Sequence, residues 1–383
     1  MYNRFENSQV HTPSAFFALP SRSFRLLFLL IFGLFLTNSP VIAQQKDSAK
    51  IKISAYVDAY YGFYTDKLPP NTFQLFPSIS PRSNEFGLNT AQVTFNYEND
   101  KVRAVATVHY GDIAKCLWSP TFNNVMEANV GVRLSKTLWI DGGFFRTHFG
   151  TEGLLPIENF GSCVSVNTFY EPSFESGVRL NYTPSKKLTI NVYALNGYNM
   201  FEDNNDHKSL GTVITYLLGE KGNIGYSNYI GDDSPIGDSA SHNRIHQNLF
   251  FNYEIKKLKI RIGGDYCMQQ NSNILLHNQT ASMYSGIVSA KFQCRAKCAM
   301  YVRGEIFNDP DAIMSGIVQD AKGKLTGFNL MGVTIGTEYK PTENTCIRLE
   351  ARQIQMDKDQ QLFWWNGLQS NRLEVLLDLG IVF

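Results

Sequence analysis

The stretch from Asn371 to Phe383 constrains the fold of this chain more than any other. Large apolar residues occupy every second position from Leu373 to Phe383, and polar residues or glycine lie between them, with Leu376 and the penultimate Val382 the exceptions. A period of two predicts a β-strand with one apolar and one polar face. Such a strand fits a closed barrel in lipid, with apolar side chains outward and polar side chains inward.

The composition agrees with a barrel and excludes two other classes of protein. The formal net charge of the 383 residues is +1, which leaves no basic excess for binding nucleic acid. The mean hydropathy of −0.20 is much lower than a helical membrane protein would have. A barrel with a polar lumen is expected to have such an average, and an aromatic content of 13% suits a β protein.

The longest apolar run, Leu26–Leu36, follows Arg22 and Arg25 and precedes a small-residue site that ends at Ala43. A basic region, a short apolar core and such a site predict a secretory signal peptide, residues 1–43, cleaved after Ala43. Eleven residues are too few for a stable spanning helix, so an uncleaved anchor is the less favoured alternative.

The rest of the chain shows the same alternation at regular intervals. After a short periplasmic stretch, residues 44–50, the pattern predicts one domain of about sixteen strands over residues 51–383. Short turns and long connections alternate, as expected for periplasmic turns and extracellular loops. The predicted fold class is therefore all-β, a transmembrane antiparallel up-and-down β-barrel in the outer membrane of a Gram-negative bacterium.

Aromatic residues recur where strands should end at the periplasmic rim. Of eight such strands, one ends its apolar face at Leu134 and seven end it on an aromatic, namely Tyr97, Tyr182, Tyr216, Tyr253, Phe292, Tyr339 and Phe383. Amphipathic rings favour the membrane interface, so this pattern predicts an aromatic girdle. Ordinary core aromatics are the alternative, although a soluble sandwich gives no reason to place them at every second strand end.

Charged residues of both signs occupy the polar face of the predicted strands. Such residues cannot face hydrocarbon cheaply, and sixteen strands leave an interior too wide for side chains to fill. We therefore predict a hydrated channel for passive diffusion of small hydrophilic solutes or ions. A lumen plugged by a loop, with the charges paired in structural networks, is the alternative. The candidate pore-lining residues on the strands are Asp141, Glu175, Arg179, Arg303, Glu305, Arg348, Glu350 and Arg352.

The longest connection, residues 148–172, is the candidate for the constriction. A structureless segment of that length is usually functional, and by analogy with known sixteen-stranded porins it should fold into the lumen. It carries Glu152 and Glu158, and candidate arginines lie on the opposite wall. Acid facing guanidinium would create a transverse field at the narrowest point. In the alternative, the loop covers the mouth and the charges pair along the wall.

Five segments resemble the OmpL-like β-barrel porin family, and their order and spacing span most of residues 51–383: Gly143–Glu152, Asn196–Asn199, Asp203–Gly211, Arg303–Asp309 and Arg348–Arg352. The family is common in Bacteroidota and other Gram-negative bacteria. The resemblance implies an outer-membrane channel surrounded by lipid, with Phe383 as the signal to the barrel-assembly machinery. It supplies neither a solute nor catalytic residues, and both a monomer and a homotrimer remain open.

No motif for catalysis or for a cofactor was found. The sequence has no Gly-rich phosphate loop after a strand and no Gly-x-Ser-x-Gly elbow. The loop acids Glu202, Asp203 and Asp206 could hold a hard cation, but a solvated loop is favoured and no metal is predicted. A closed barrel that binds through its extracellular loops is the second functional hypothesis, and a barrel enzyme is the third.

The sequence contains six cysteines. Their spacing fits no zinc pattern, and an exported protein can form disulfides. A Cys294–Cys298 bridge, a Cys116–Cys163 bridge and free thiols all remain open at this point.

Overall fold

The computed structural model describes residues 50–66, 69, 71–234, 236–238 and 240–383. The predicted signal peptide with its cleavage after Ala43 lies outside the described residues, as does the periplasmic stretch apart from Lys50. Within the described ranges, no helix has the length and apolar character needed to cross a membrane.

Sixteen strands form one closed antiparallel barrel, which confirms the predicted fold class. The barrel strands are β1 (Lys50–Tyr64), β2 (Glu85–Glu98), β3 (Val102–Tyr110), β4 (Val125–Ser135), β5 (Leu138–Arg146), β6 (Phe174–Ser185), β7 (Leu188–Leu195), β8 (Ser209–Leu217), β9 (Gly222–Asp232), β10 (Asn243–Ile255), β11 (Leu258–Gln269), β12 (Ala281–Arg295), β13 (Cys298–Asn308), β16 (Asn329–Tyr339), β17 (Thr345–Met356) and β20 (Asn371–Val382).

The long loops carry the remaining short elements. Two hairpins pair β14 (Val318–Gln319) with β15 (Leu325–Thr326) and β18 (Phe363–Trp364) with β19 (Leu368–Gln369). The helical elements are Asp112–Leu117, a 3-10 turn at Pro156–Glu158 and Val166–Tyr170.

Strand β20 closes the barrel by pairing with β1, from Val382 opposite Tyr56 to Glu374 opposite Tyr64. The pairing continues to Phe383, whose N–H donates to the carbonyl of Ala55 at 2.9 Å while its carbonyl accepts the Ala55 N–H at 2.6 Å. Every backbone polar group in lipid needs such a partner, so the seam removes the two open edges that a flat sheet would leave.

Side chains on β20 alternate between lipid and lumen. Leu377 and Leu379 are exposed on the outer surface, whereas Glu374 and Asp378 are buried inside the barrel. Leu376, one of the two exceptions in the sequence pattern, packs inside with two tyrosines and a cysteine of the lumen. The outward face therefore carries groups that hydrocarbon can solvate, and the charged groups of the strand lie on the inward face.

Short turns lie at one end of the barrel and long loops at the other, which predicts opposite labelling of the two rims in whole cells. Single cysteines at the exposed loop positions Asp206 and Lys324 should react with a membrane-impermeant maleimide, and cysteines at the exposed turn positions Asp100 and Lys186 should not. The parent protein, with its own cysteines, gives the background. Labelling of the turns but not the loops would reverse the orientation.

Candidate pore and constriction

The connection between β5 and β6, residues 147–173, folds into the lumen and packs against the far wall. Glu350 on β17 receives the backbone N–H groups of Ser162 and Cys163, at 2.8 and 3.0 Å. Irregular backbone buried away from water must find such partners, and here a carboxylate of the wall supplies them. Glu350 therefore holds the middle of the loop against β17.

Arg348, two positions earlier on the same inward face, binds carbonyl groups of the loop. Its guanidinium donates to the carbonyls of Pro156, Gly161 and Asn159, at 2.8, 3.2 and 3.3 Å. Its Nε also donates to Glu338 on β16, at 2.9 Å. One fixed fork of donors thus satisfies both the loop backbone and a neighbouring carboxylate.

The loop is fixed further along by a network of ion pairs. Arg303 donates to Glu152 at 3.0 Å, and the two oxygens of Glu305 each accept from Arg352 at 2.9 Å. Glu305 also receives the N–H of Val166, where the short helix of the loop begins. Bidentate pairs of this kind give geometric specificity as well as energy, so the loop has a defined seat on the wall.

Glu152 stays ionised in spite of its burial. Removal from water alone would raise its pKa, but the Arg303 guanidinium and the N–H of Ser165 lower the pKa below the usual value. The Ser165 N–H donates to Glu152 at 2.8 Å. The predicted acid of the constriction therefore serves as an internal anchor of the loop.

Glu175 also anchors the loop and is fully shielded from solvent. It lies 2.7 Å from Nδ1 of His148, whose Nε2 lies 2.8 Å from the carbonyl of Asn228. Because both acceptors need a proton, this geometry favours the imidazolium form. Burial alone would lower the pKa of His148, but Glu175 raises it above the usual value. The pair fixes the point at which the chain leaves β5.

The remaining candidates lie on the side of the lumen formed by β3 to β6. Asp141 accepts from Arg103 at 2.6 Å and from Arg179 at 3.0 Å, and Glu158 accepts from Arg146 at 2.6 Å. The side chains of Arg103, Arg146, Glu158 and Arg179 keep 24 to 30% of their surface exposed. Those of Arg303, Arg348 and Arg352 keep 5% or less. Of these charged groups, the more accessible ones are thus on the β3–β6 side or, for Glu158, on the part of the loop that pairs with β5.

This distribution differs from the expected field between an acidic loop and an arginine wall. Arg303, Arg348 and Arg352 do lie across the barrel from β5, but the loop covers them. Glu152 of the loop pairs with Arg303, whereas Glu158 pairs with Arg146 on β5. A buried charge is costly unless it is paired, so a loop that packs on a charged wall must bring compensating groups with it. Arg103 and Arg146, which the candidate list did not contain, are accessible instead. Inward parity on β3 does place Arg103 on the lumen face in the sequence, although the candidate list omits it.

The seven aromatic residues of the predicted girdle lie near the turn-side ends of their strands. Tyr182, Tyr216, Phe292, Tyr339 and Phe383 are exposed on the outer surface, with 43 to 68% of their surface accessible. Tyr97 and Tyr253 are half-buried. Their exposure and their position along the barrel axis agree with an aromatic girdle. Their contact with the lipid interface remains a prediction.

All six cysteines lie in the described part of the chain and are free thiols, so neither of the two conceivable bridges is formed. In the loop after β7, Asp203 pairs with Lys208. Within the described residues, no group of three or more histidine, cysteine or acidic side chains is arranged to hold a metal ion.

A closed barrel of sixteen strands with an apolar exterior, charged lumen and internal loop defines a porin of the outer membrane. The profile of the family described as "Putative beta-barrel porin-2, OmpL-like" matches residues 50–383, and the chain belongs to this family. No protein of curated function matches the sequence at a significant level.

Solved structures share the fold. The outer membrane channel DcaP of Acinetobacter baumannii is 10% identical, with a TM-score of 0.61 over 88% of this chain and 97% of that chain. An anion-selective porin from Comamonas acidovorans is 9% identical, with a TM-score of 0.57 over 88% and 100%. OmpT of Vibrio cholerae in a trimer form is 11% identical, with a TM-score of 0.55 over 88% and 100%.

Proposed function

We propose that this porin allows small hydrophilic solutes or ions to diffuse passively through its lumen. The observation that carries the proposal is the asymmetry inside the barrel. The loop is anchored on the wall formed by β13, β16 and β17, whereas the side chains of Arg103 and Arg179 on the β3–β6 side keep about a quarter of their surface in contact with solvent. Water-exposed charges along one side of a wide barrel are what a polar pathway requires.

A closed barrel that acts through its extracellular loops is the second candidate. It is favoured by the number of hydrogen bonds that hold the internal loop. Two N–H groups of the loop donate to Glu350, and three of its carbonyls accept from Arg348. A loop held in this way could be a fixed plug as readily as the border of a channel.

Reconstitution of the refolded barrel in planar lipid bilayers separates these two functions. Passive diffusion predicts stepwise conductance that rises with salt concentration. Added uncharged sugars should not block this conductance in a saturable way. A folded, heat-modifiable barrel that inserts without conductance would reject the channel and support the plugged alternative. Heat-denatured protein from the same preparation is the control for contaminating pores.

The homotrimer is likewise a proposal. Its support is the trimer form recorded for the OmpT structure, which shares the fold of this chain. Crosslinking in native outer membranes, with the crosslinked bands compared before and after heating, would distinguish a trimer from a monomer.

A further inference from the structure

Three arginines surround one carboxylate and one indole at the periplasmic end of the lumen. We call Arg103, Arg133 and Arg179 the arginine cluster. Arg103 donates from Nε and Nη2 to the two oxygens of Asp141, each at 2.6 Å, and Arg179 donates from Nε at 3.0 Å. The guanidinium carbons of Arg103 and Arg133 both lie 4.5 Å from the ring centroid of Trp139.

The strand register produces this arrangement. Arg103 is opposite Gly131, Asp141 is opposite both Gly131 and Arg179, and Arg133 is opposite Trp139. All are on the inward face of β3, β4, β5 and β6, close to the short turns. Because Gly131 has no side chain, the Arg103 guanidinium can reach across β4 to Asp141.

The charges of the arginine cluster do not balance. In the ranges that the structure describes, Asp141 is the one carboxylate within 4 Å of the Arg103 and Arg179 guanidinium groups, and Arg133 has no acidic partner within that distance. On the adjoining strands, exposed Glu98 lies opposite Arg103, and exposed Lys52 lies opposite Asn96. These last two charges offset each other. Glu127, on the inward face of β4, interacts electrostatically with Arg179 as well as with Arg146, so the cluster keeps an excess of about one positive charge.

A purely structural role would leave these groups buried and matched, as on the wall under the loop. There, Glu338 on β16 accepts from both Lys291 and Arg348, and all three side chains are at most 13% exposed. In the arginine cluster, the side chains of Arg103 and Arg179 are about a quarter exposed and Arg133 is exposed. Their excess charge therefore faces the water of the lumen.

The geometry also suits recognition of an oxyanion. A guanidinium presents a planar fork of donors that matches a carboxylate or a phosphate. Asp141 and Trp139 hold Arg103 in place, and stacking on Trp139 limits the motion of Arg133. Side chains that are fixed before binding lose less entropy when a ligand arrives.

We propose that the arginine cluster is a binding site for small oxyanions, with carboxylate or phosphate groups, and that it gives the channel a preference for anions. The preference rests on the proposed diffusion function. The binding itself does not, because it can be measured on the folded barrel without any conductance.

The tryptophan at the centre of the cluster gives the first test. The refolded parent is titrated with inorganic phosphate, which replaces chloride so that the ionic strength stays constant. This titration should give a saturable change in tryptophan emission. A parallel titration with succinate tests the carboxylate form of the ligand. The change should disappear in Trp139→Phe, which assigns it among the four tryptophans.

Removal of the charges without removal of the indole completes this test. The double variant Arg133→Gln and Arg179→Gln should weaken the apparent affinity roughly tenfold or more, which corresponds to about one charge-assisted contact. Arg295→Gln, an exposed arginine at another turn, is the matched control and should bind as the parent does. Heat-modifiability confirms that each variant folds. An absent saturable change in the parent, or an unchanged affinity in the double variant, would overturn the site.

Reversal potentials in a potassium chloride gradient test the preference separately. The parent should prefer chloride, and the double variant should lose most of that preference while Arg295→Gln keeps it. Conductance without anion preference, or a preference that the double variant retains, would refute this part of the proposal. Phosphate binding without conductance would instead reject diffusion and leave the site standing.

Discussion

Deletion of residues 152–165 is expected to raise the single-channel conductance about twofold or more, since a sixteen-stranded barrel without an internal loop leaves a wide aqueous channel. The deleted segment includes Ser162 and Cys163, which bind Glu350, and the three carbonyls that bind Arg348. Its removal opens the side of the lumen next to β13, β16 and β17. Conductance is measured in planar bilayers.

The control for this experiment is a deletion in a loop that lies outside the lumen. Residues 320–323 lie at the tip of the exposed β14–β15 hairpin, and their removal should leave the conductance unchanged. Glu350→Gln adds a variant of unchanged length that weakens the seat of the loop. An unaltered conductance after deletion of 152–165, in a barrel that is heat-modifiable, would mean that the loop does not border the pathway.

The same contacts explain why Arg348 and Arg352 are poor reporters of ion selectivity. Both side chains are 2% exposed and paired with Glu338 and Glu305. Reversal of either charge would place like charges side by side in a buried site, where loss of one partner typically costs about 3–5 kcal/mol. Accessible arginines such as Arg133 and Arg179 avoid this problem.

Replacement of Phe383 by aspartate should sharply lower the amount of barrel in the outer membrane. The ring is 68% exposed on the outer surface at the periplasmic rim, and the backbone of Phe383 pairs with Ala55 at the seam. An acidic group near the interface costs only about 1 kcal/mol or less in folded barrels. A large drop would therefore reflect recognition by the assembly machinery, which is our proposal for this residue.

Tyr339→Asp is the matched control, since Tyr339 is another exposed aromatic at the same rim but lies within the chain. Outer-membrane levels are read as the heat-modifiable band on gels. An equal drop in both variants would indicate a general loss of stability at the rim. Normal levels of Phe383→Asp would remove the assembly role altogether.

The barrel could be predicted well from the sequence because the residue pattern of each strand reflects the surroundings of its own two faces. On β20 the alternation of leucine with arginine, glutamate and aspartate directly reflects lipid on one face and polar partners on the other. Loop–turn alternation then sets the topology. Such local signals need no knowledge of which residues meet across the barrel.

The partners inside the lumen could not be predicted in the same way. Glu152 is separated from Arg303 by 151 positions, and Ser162 from Glu350 by 188. The path of an irregular loop decides these contacts, and no periodicity encodes that path. Even so, inward parity placed Arg303, Arg348 and Arg352 on one wall. What it could not show was that the loop would cover that wall and leave the arginines of β3, β4 and β6 in contact with water.

The β1–β20 seam has a consequence for how the protein is made. It joins residues 326 positions apart, such as Tyr56 and Val382, whereas hairpin neighbours along the barrel pair residues that are close in the sequence. Until the seam forms, β1 and β20 each present a row of unpaired donors and acceptors that other chains could extend by strand addition. Transit through the periplasm must therefore occur with both edges protected. The rate of closure, rather than the stability of any single hairpin, then decides between insertion and aggregation.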